Sequence, residues 1–145
     1  MIPVGKYTEA NIPLIPVDKY KAIKKHILTE KGDLDFFGVI LREDAPDTWD
    51  LVIAAPWAES DQREALQYLS VVVKTELDPT EILQLSRVVI LEKTSPVLRA
   101  LLSAFSVTAD SILELSDSTV GGIPFRHAYI LEAKRPMLTG SAGAK

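Results

Sequence analysis

Hydrophobic residues first recur at helical spacing shortly after position 17. The stripe predicts a helix over residues 18–31, capped by Asp18 and followed by Gly32. The residues of this stripe that we expect in the core are Tyr20, Ile23, Ile27 and Leu28. Lysines on the sides of the same helix form the most basic patch of the chain. We interpret that patch as a solvated helix face, with a site for an anion or an acidic partner as the alternative.

Three more helix starts follow, each marked by a capping residue. Asp61 and Glu64 have the spacing of a capping box ahead of a second hydrophobic stripe. That stripe consists of Leu66, Leu69, Val73 and Leu77. At residues 78–79 and 95–96 a capping residue precedes proline, which predicts two further helices.

Runs of β-branched and aromatic residues predict five strands. Residues 36–43 and 49–56 flank a short turn and predict a hairpin, whose second strand is apolar enough for burial on both faces. Residues 87–93 and 111–116 predict the third and fourth strands. The fifth strand, residues 125–134, is expected to place on one face Phe125, His127, Tyr129, Leu131 and Ala133.

The element order α-β-β-α-α-β-α-β-β predicts a single α/β or α+β domain, with a mixed sheet of about five strands and helices packed on it. This domain should span residues 17–136. Residues 1–16 contain three prolines and predict an extended, apolar arm, and residues 137–145 predict a flexible tail. Because the arm or an edge strand can pair with a second copy, we expect a homodimer.

Composition narrows the range of functions. The chain of 145 residues has no cysteine, which excludes Cys-ligated zinc, thiol nucleophiles and disulfides. Its formal net charge of −4 makes a nucleic-acid partner unlikely, because duplex binding relies on a basic surface. No apolar run has the length of a membrane helix, and the N-terminal residues lack the pattern of a signal peptide. We therefore expect a cytoplasmic protein without membrane contact or cofactor.

One motif indicates metal chemistry. Glu132 and Lys134 follow an apolar run, and Glu-x-Lys in that position resembles the last motif of the PD-(D/E)XK nuclease superfamily. The resemblance implies a divalent cation held by Glu132 and an upstream aspartate, with Lys134 beside the attacking water. The upstream residue would be Asp50, or Asp47, which follows Pro46.

The spacing of these residues departs from that superfamily. The aspartate and the glutamate of the family lie on neighbouring strands of one short unit, whereas more than half of this chain separates Asp50 from Glu132. Short motifs of this kind also occur by chance. We therefore favour a simpler interpretation, in which Glu132 and Lys134 mark a strand end that reaches water.

Nucleophilic and phosphate-binding motifs are absent from the sequence. No serine stands in Gly-x-Ser-x-Gly or Ser-x-x-Lys, and neither glycine-rich phosphate loop occurs. The two histidines are His26, which we expect on the solvent side of the first helix, and His127, which we expect as a half-buried packing residue. Two distant histidines predict no zinc site.

Two tryptophans are the best remaining candidates for binding. Trp57 follows the predicted central strand, with Glu59 two residues further on, and Trp49 begins that strand. Such aromatic residues either close the edge of a core or contact a partner. Our leading hypothesis is an interaction or assembly domain without a catalytic site. The alternatives are a metal-dependent hydrolase or nuclease, and a small-ligand domain with a pocket near Trp57.

Overall fold

The computed structural model describes residues 14–45, 47–108 and 111–134. Its strands are β1 (Phe36–Arg42), β2 (Trp49–Ala54), β3 (Leu85–Ile90), β4 (Leu113–Val120) and β5 (Ile123–Ala133). Its helices are α1 (Val17–Glu30), α2 (Pro56–Ser60), α3 (Gln62–Glu76), α4 (Pro79–Ile82) and α5 (Pro96–Ala104). None of these helices is long and apolar enough to cross a membrane.

The strands form one five-stranded mixed sheet in the order β3-β2-β1-β5-β4. β1 pairs antiparallel with both β2 and β5, β5 pairs antiparallel with β4, and β2 pairs parallel with β3. The predicted single-domain mixed sheet is therefore confirmed. The segment between β2 and β3 holds three helices instead of the predicted two, because α2 forms a separate short helix. Residues 1–13 and the tail after residue 134 lie outside the described residues, and with them most of the predicted arm.

The sheet separates two hydrophobic cores, which we name by the helix that covers each. The core on the α1 face combines α1 and α3 with Phe37, Val39 and Leu41 of β1. The core on the α5 face combines α5 with Phe36 and Ile40 of the same strand. This division follows from the alternation of side chains along β1.

Most of the predicted helix caps are present. The Asp61 side chain accepts a hydrogen bond from the Glu64 amide, and Asp78 forms a complete capping box at α4. Asp18 is an exception, because α1 begins at Val17 and Asp18 lies in its first turn without capping it. Leu66 is 42% exposed rather than buried, because α3 turns a different stripe inward. The buried residues of that stripe are Ala65, Leu69, Val72 and Val73.

β5 changes sides along its length, which corrects the single face predicted from its sequence. Tyr129 and Leu131 pack on the α1 face, whereas Phe125 and Ala133 belong to the core on the α5 face. The register of β5 against β1 shifts at two points, and an extra residue in a strand reverses the side of every residue beyond it.

β4 changes sides at the same level as β5. Leu115 and Val120 both pack on the α5 face although they are five positions apart, an offset that would place them on opposite faces of a regular strand. Asp117 lies between them with a φ of 45°, a conformation that few residues other than glycine adopt. The matched change in both strands preserves their pairing, with Ser116 opposite His127 and Ser118 opposite Phe125.

At Gly38, neighbouring atoms of the sheet leave little room for a side chain. A Cβ atom there would lie 3.1 Å from the Phe36 ring and 3.2 Å from the Tyr129 carbonyl oxygen. Alanine in place of a strand glycine gains about 0.5–1 kcal/mol of backbone entropy, but overpacking costs about 1–3 kcal/mol. Since Phe36 is fully buried, we expect the cost of overpacking to exceed the gain in backbone entropy.

We therefore expect Gly38→Ala to lower the free energy of unfolding by about 1–2 kcal/mol, measured by urea denaturation. Adding Phe36→Leu should make the Gly38→Ala change less costly than it is in the wild-type background, because the smaller side chain leaves room for the new methyl group. Equal costs in the two backgrounds would show that contact with the Phe36 ring is not the cause.

Candidate functional site

Asp50 is a buried acid on the α5 face of β2. Its Oδ2 atom lies 3.2 Å from Arg87 Nε and accepts a hydrogen bond from it. Arg42 Nε lies 3.0 Å from the same oxygen, outside hydrogen-bond geometry, and Arg42 also contacts Asp44. The two arginines therefore compensate the charge of the buried Asp50 carboxylate.

Glu132 is a buried acid on the opposite face, where it meets α1. Its Oε1 atom lies 3.1 Å from the Nζ atom of Lys24, and the two side chains are 6% and 8% exposed. Lys24 also donates a 2.6 Å hydrogen bond to the Leu131 carbonyl oxygen. Lys134 points elsewhere and lies 3.4 Å from the Asp33 carboxylate. Glu132 therefore serves as the counter-charge of a buried lysine.

The structure does not bring the three residues of the predicted metal site together. Asp50 and Glu132 lie on opposite faces of the sheet, and β1 runs between their strands. Strands two places apart are separated by about 10 Å, whereas shared metal ligands lie within about 2.6 Å of the ion. Asp47 is exposed at the turn before β2. Among the described residues, no group of three or more His, Cys, Asp and Glu side chains has the arrangement of a metal site.

Trp57 and Glu59 support the junction between β2 and the helices. Trp57 is half-buried, and its ring packs edge-on against Tyr68 with centroids 5.9 Å apart. Glu59 accepts a 2.6 Å hydrogen bond from the Lys93 amide, in the loop after β3. Both residues therefore have packing or hydrogen-bonding roles within the fold, and neither lines the two cavities described below.

Trp49 of β2 and His127 of β5 lie together on the α1 face of the sheet. The Trp49 ring meets His127 edge-on with centroids 6.2 Å apart and stacks at a tilt against Tyr129. His127 is 5% exposed and makes two polar contacts through its ring nitrogens. Its Nδ1 atom lies 3.1 Å from Ser116 Oγ, and its Nε2 atom lies 2.6 Å from Glu114 Oε2.

These contacts create a hydroxyl–imidazole–carboxylate chain that reaches the surface. In the tautomer whose Nε2–H donates to the Glu114 carboxylate, Nδ1 can accept a hydrogen bond from the Ser116 hydroxyl. Glu114 also accepts from the Tyr129 hydroxyl, and burial together with the Glu114 charge raises the pKa of Tyr129. Ser116 itself is exposed, so its hydroxyl is accessible to a solute.

Sequence reasoning missed Ser116 and Glu114, although a signal for both was present. Gly121 and Gly122 form a two-residue turn with φ of 61° and 80°, the positive values that two-residue hairpin turns require. Counting backwards from such a turn places Ser116 opposite His127, and Glu114 lies two residues further along the same face of β4.

β3 forms one edge of the sheet. Its first half contains the exposed residues Ser86 and Arg87, but its second half is apolar on both faces. Val88 and Ile90 pack on the α1 face, and Val89 packs on the α5 face. The Leu91 amide bonds the Ile53 carbonyl of β2. Since alternate residues of a strand direct their backbone groups to opposite edges, Val88 and Ile90 direct theirs outward, where no described strand meets them.

Two cavities adjoin the sheet. A groove of about 80 Å³ lies on the α5 face, between α5, strands β1 to β3 and the tip of the β4–β5 hairpin, and its lining includes Asp50 and its two arginines. A larger cavity of about 300 Å³ lies between α1 and β5. Its lining includes the Lys21, Lys24, Lys25, Leu28, Ser111 and Leu131 side chains.

Comparison with protein-family models, with curated proteins and with solved structures finds no match for this chain. The physical character of these sites is therefore the basis for the functional proposals that follow.

The Lys24–Glu132 pair provides a test of the structural role of Glu132. Removing one member of a buried ion pair leaves an uncompensated charge and costs about 3–5 kcal/mol. We expect Glu132→Gln to lower the free energy of unfolding by about that amount, measured by urea denaturation. The more exposed pair Lys19–Glu81 is the control, and Lys19→Met should lower the free energy of unfolding much less than Glu132→Gln does.

The double variant Lys24→Met with Glu132→Gln separates the charge effect from packing. It should be more stable than Glu132→Gln alone, because no buried ammonium is left without a counter-charge. A Glu132→Gln variant as stable as the wild-type protein would contradict the structural role.

Proposed function

We propose that this protein is an interaction domain that assembles with a second copy of itself through the edge strand β3. The observation that carries the proposal is the outward direction of the Val88 and Ile90 backbone groups from a run, Val88 to Leu91, that is apolar on both faces. Unpaired edges of this kind readily accept another strand.

The hydrophobic pattern of β3 favours a position inside a sheet. Parallel strands with continuous apolar runs are usually covered on both faces and flanked by neighbours. Residues Val88 to Leu91 form such a run, yet each of them remains partly exposed. Leu83, in the turn just before β3, is 77% exposed and adds apolar surface beside the same edge. A second strand would cover this edge.

The sequence of β3 suits pairing with an identical strand. In an antiparallel pair centred on Val89, Val88 and Ile90 stand opposite Ile90 and Val88 of the second copy, and each such pair exchanges two backbone hydrogen bonds. The cross-strand neighbours are then β-branched residues on both faces, which is a stabilising combination. Two-fold symmetry of this kind is the commonest form of protein assembly.

The opposite edge of the sheet has features that oppose such pairing. β4 alternates apolar residues with Glu114, Ser116 and Ser118, and Asp117 adopts a positive φ in its middle. Charged side chains and local irregularities are common protections of edge strands. β3 carries the charged Arg87, but this side chain pairs with Asp50, and the run beyond it from Val88 to Leu91 has neither protection. The contrast therefore favours this run of β3 as the assembly surface.

A single cysteine tests this geometry directly, because the natural chain has none. In the proposed pair, Val89 faces Val89 of the second copy at a Cα separation of about 4.5 Å, within the range of a disulfide. We expect Val89→Cys to form a covalent dimer under mild oxidation, seen by non-reducing electrophoresis. Light scattering of the wild-type protein should give twice the monomer mass.

Thr119→Cys is the matched control, since Thr119 is exposed on the other edge strand, β4. This variant should remain a monomer in the same electrophoresis. Crosslinking at Thr119 but not at Val89 would move the interface to β4, and a monomeric wild-type mass at millimolar concentration would contradict assembly altogether.

A second candidate function is acyl-ester hydrolysis at Ser116. The observation that favours it is the contact of the Ser116 hydroxyl with His127 Nδ1. Glu114 contacts the other ring nitrogen, Nε2. In this scheme Nδ1 takes the hydroxyl proton as Oγ attacks the ester carbonyl. The alkoxide leaves with that proton, and water then releases the acid from the acyl-serine.

We expect Ser116→Ala to lower kcat/KM for p-nitrophenyl acetate about tenfold or more, because the nucleophile is lost while the fold is kept. Ser103→Ala, at an exposed serine of α5, is the control and should leave the rate unchanged. Equal rates for the wild-type protein and Ser116→Ala would exclude this second candidate and leave the assembly proposal intact.

A further inference from the structure

We infer that the cavity between α1 and β5 binds a small organic anion, meaning a carboxylate or phosphate group carried on an apolar body. The cavity of about 300 Å³ lies at the lower end of the range for small-molecule sites. It is separate from the β3 edge and from the Ser116–His127–Glu114 chain. The inference therefore does not depend on either proposed function.

The charge of the cavity carries the inference. Lys21, Lys24 and Lys25 all line it, and no acidic residue is among its described lining. Lys24 is compensated by Glu132, which lies behind it. No carboxylate of the described residues lies within 4 Å of the ammonium of Lys21 or of Lys25. Two positive charges are therefore available to a ligand.

This arrangement has an electrostatic cost that an anion would remove. Lys21 and Lys25 stand four residues apart on one side of α1, where like charges repel by a few tenths of a kcal/mol. The chain as a whole is acidic, with a formal net charge of −4. A concave site lined by one sign of charge raises the local concentration of oppositely charged solutes.

The remaining walls define the rest of the ligand. Leu28 is 36% exposed on α1, and Leu131 forms the floor of the cavity from β5. These apolar surfaces suit an aromatic or short aliphatic body rather than a bare inorganic ion. The Ser111 hydroxyl at the rim can donate a hydrogen bond to an anionic oxygen.

Phenyl phosphate is the probe that matches these features, and isothermal titration calorimetry is the measurement. We expect binding with a Kd in the millimolar range or below, and a higher Tm in its presence, because a ligand of the folded state stabilises it. The double variant Lys21→Gln with Lys25→Gln should weaken binding at least tenfold.

The matched control is Lys74→Gln with Lys93→Gln, which removes the same charge from exposed positions outside the cavity. It should bind phenyl phosphate as the wild-type protein does. Equal weakening in both double variants would show that binding depends on the overall charge of the protein, and this would overturn the proposed site. Inorganic phosphate binding as tightly as phenyl phosphate would overturn the apolar part of the inference, and no heat of binding at 10 mM probe would overturn all of it.

Discussion

The structure depends on the burial of β1 and β2 on both of their faces. Phe36 and Phe37 are adjacent in sequence, point to opposite sides of the sheet and are both fully buried. Covering one such side chain contributes about 1.5–3 kcal/mol, so a helix layer on one side alone would forfeit a large part of the stability. This constraint explains why α1 and α3 cover one face, α5 covers the other, and the central strands are among the most apolar of the chain.

Local signals in the sequence predicted the elements well. Asp61, Asp78 and Ser95 each accept a backbone hydrogen bond at the start of a helix, as their spacing indicated. The β1–β2 hairpin also followed from the pattern of its two strands and the short turn between them. These features depend on neighbouring residues, which is why a single sequence was sufficient for them.

Features that depend on distant residues were not predictable in this way. The Val88–Leu91 run of β3 is as apolar as the Leu51–Ala54 run of β2, and its place at an edge depends on which strands pair. Lys24 was expected on the side of a helix, but its ammonium bonds a carbonyl 107 positions away and is buried. The hairpin register alone was enough to predict that Ser116 lies opposite His127. The change of sides in β4 and β5 was not predictable in this way, and it decides which other residues share their face of the sheet.

That change of sides restricts how this hairpin can evolve. Phe125 lies in the core on the α5 face only because both strands reverse at one level, around Asp117 and the residue opposite it. A one-residue deletion in either strand would turn the apolar tip of the hairpin toward water and expose that core. Changes in the length of one strand should therefore persist in related proteins only when the other strand carries a compensating change.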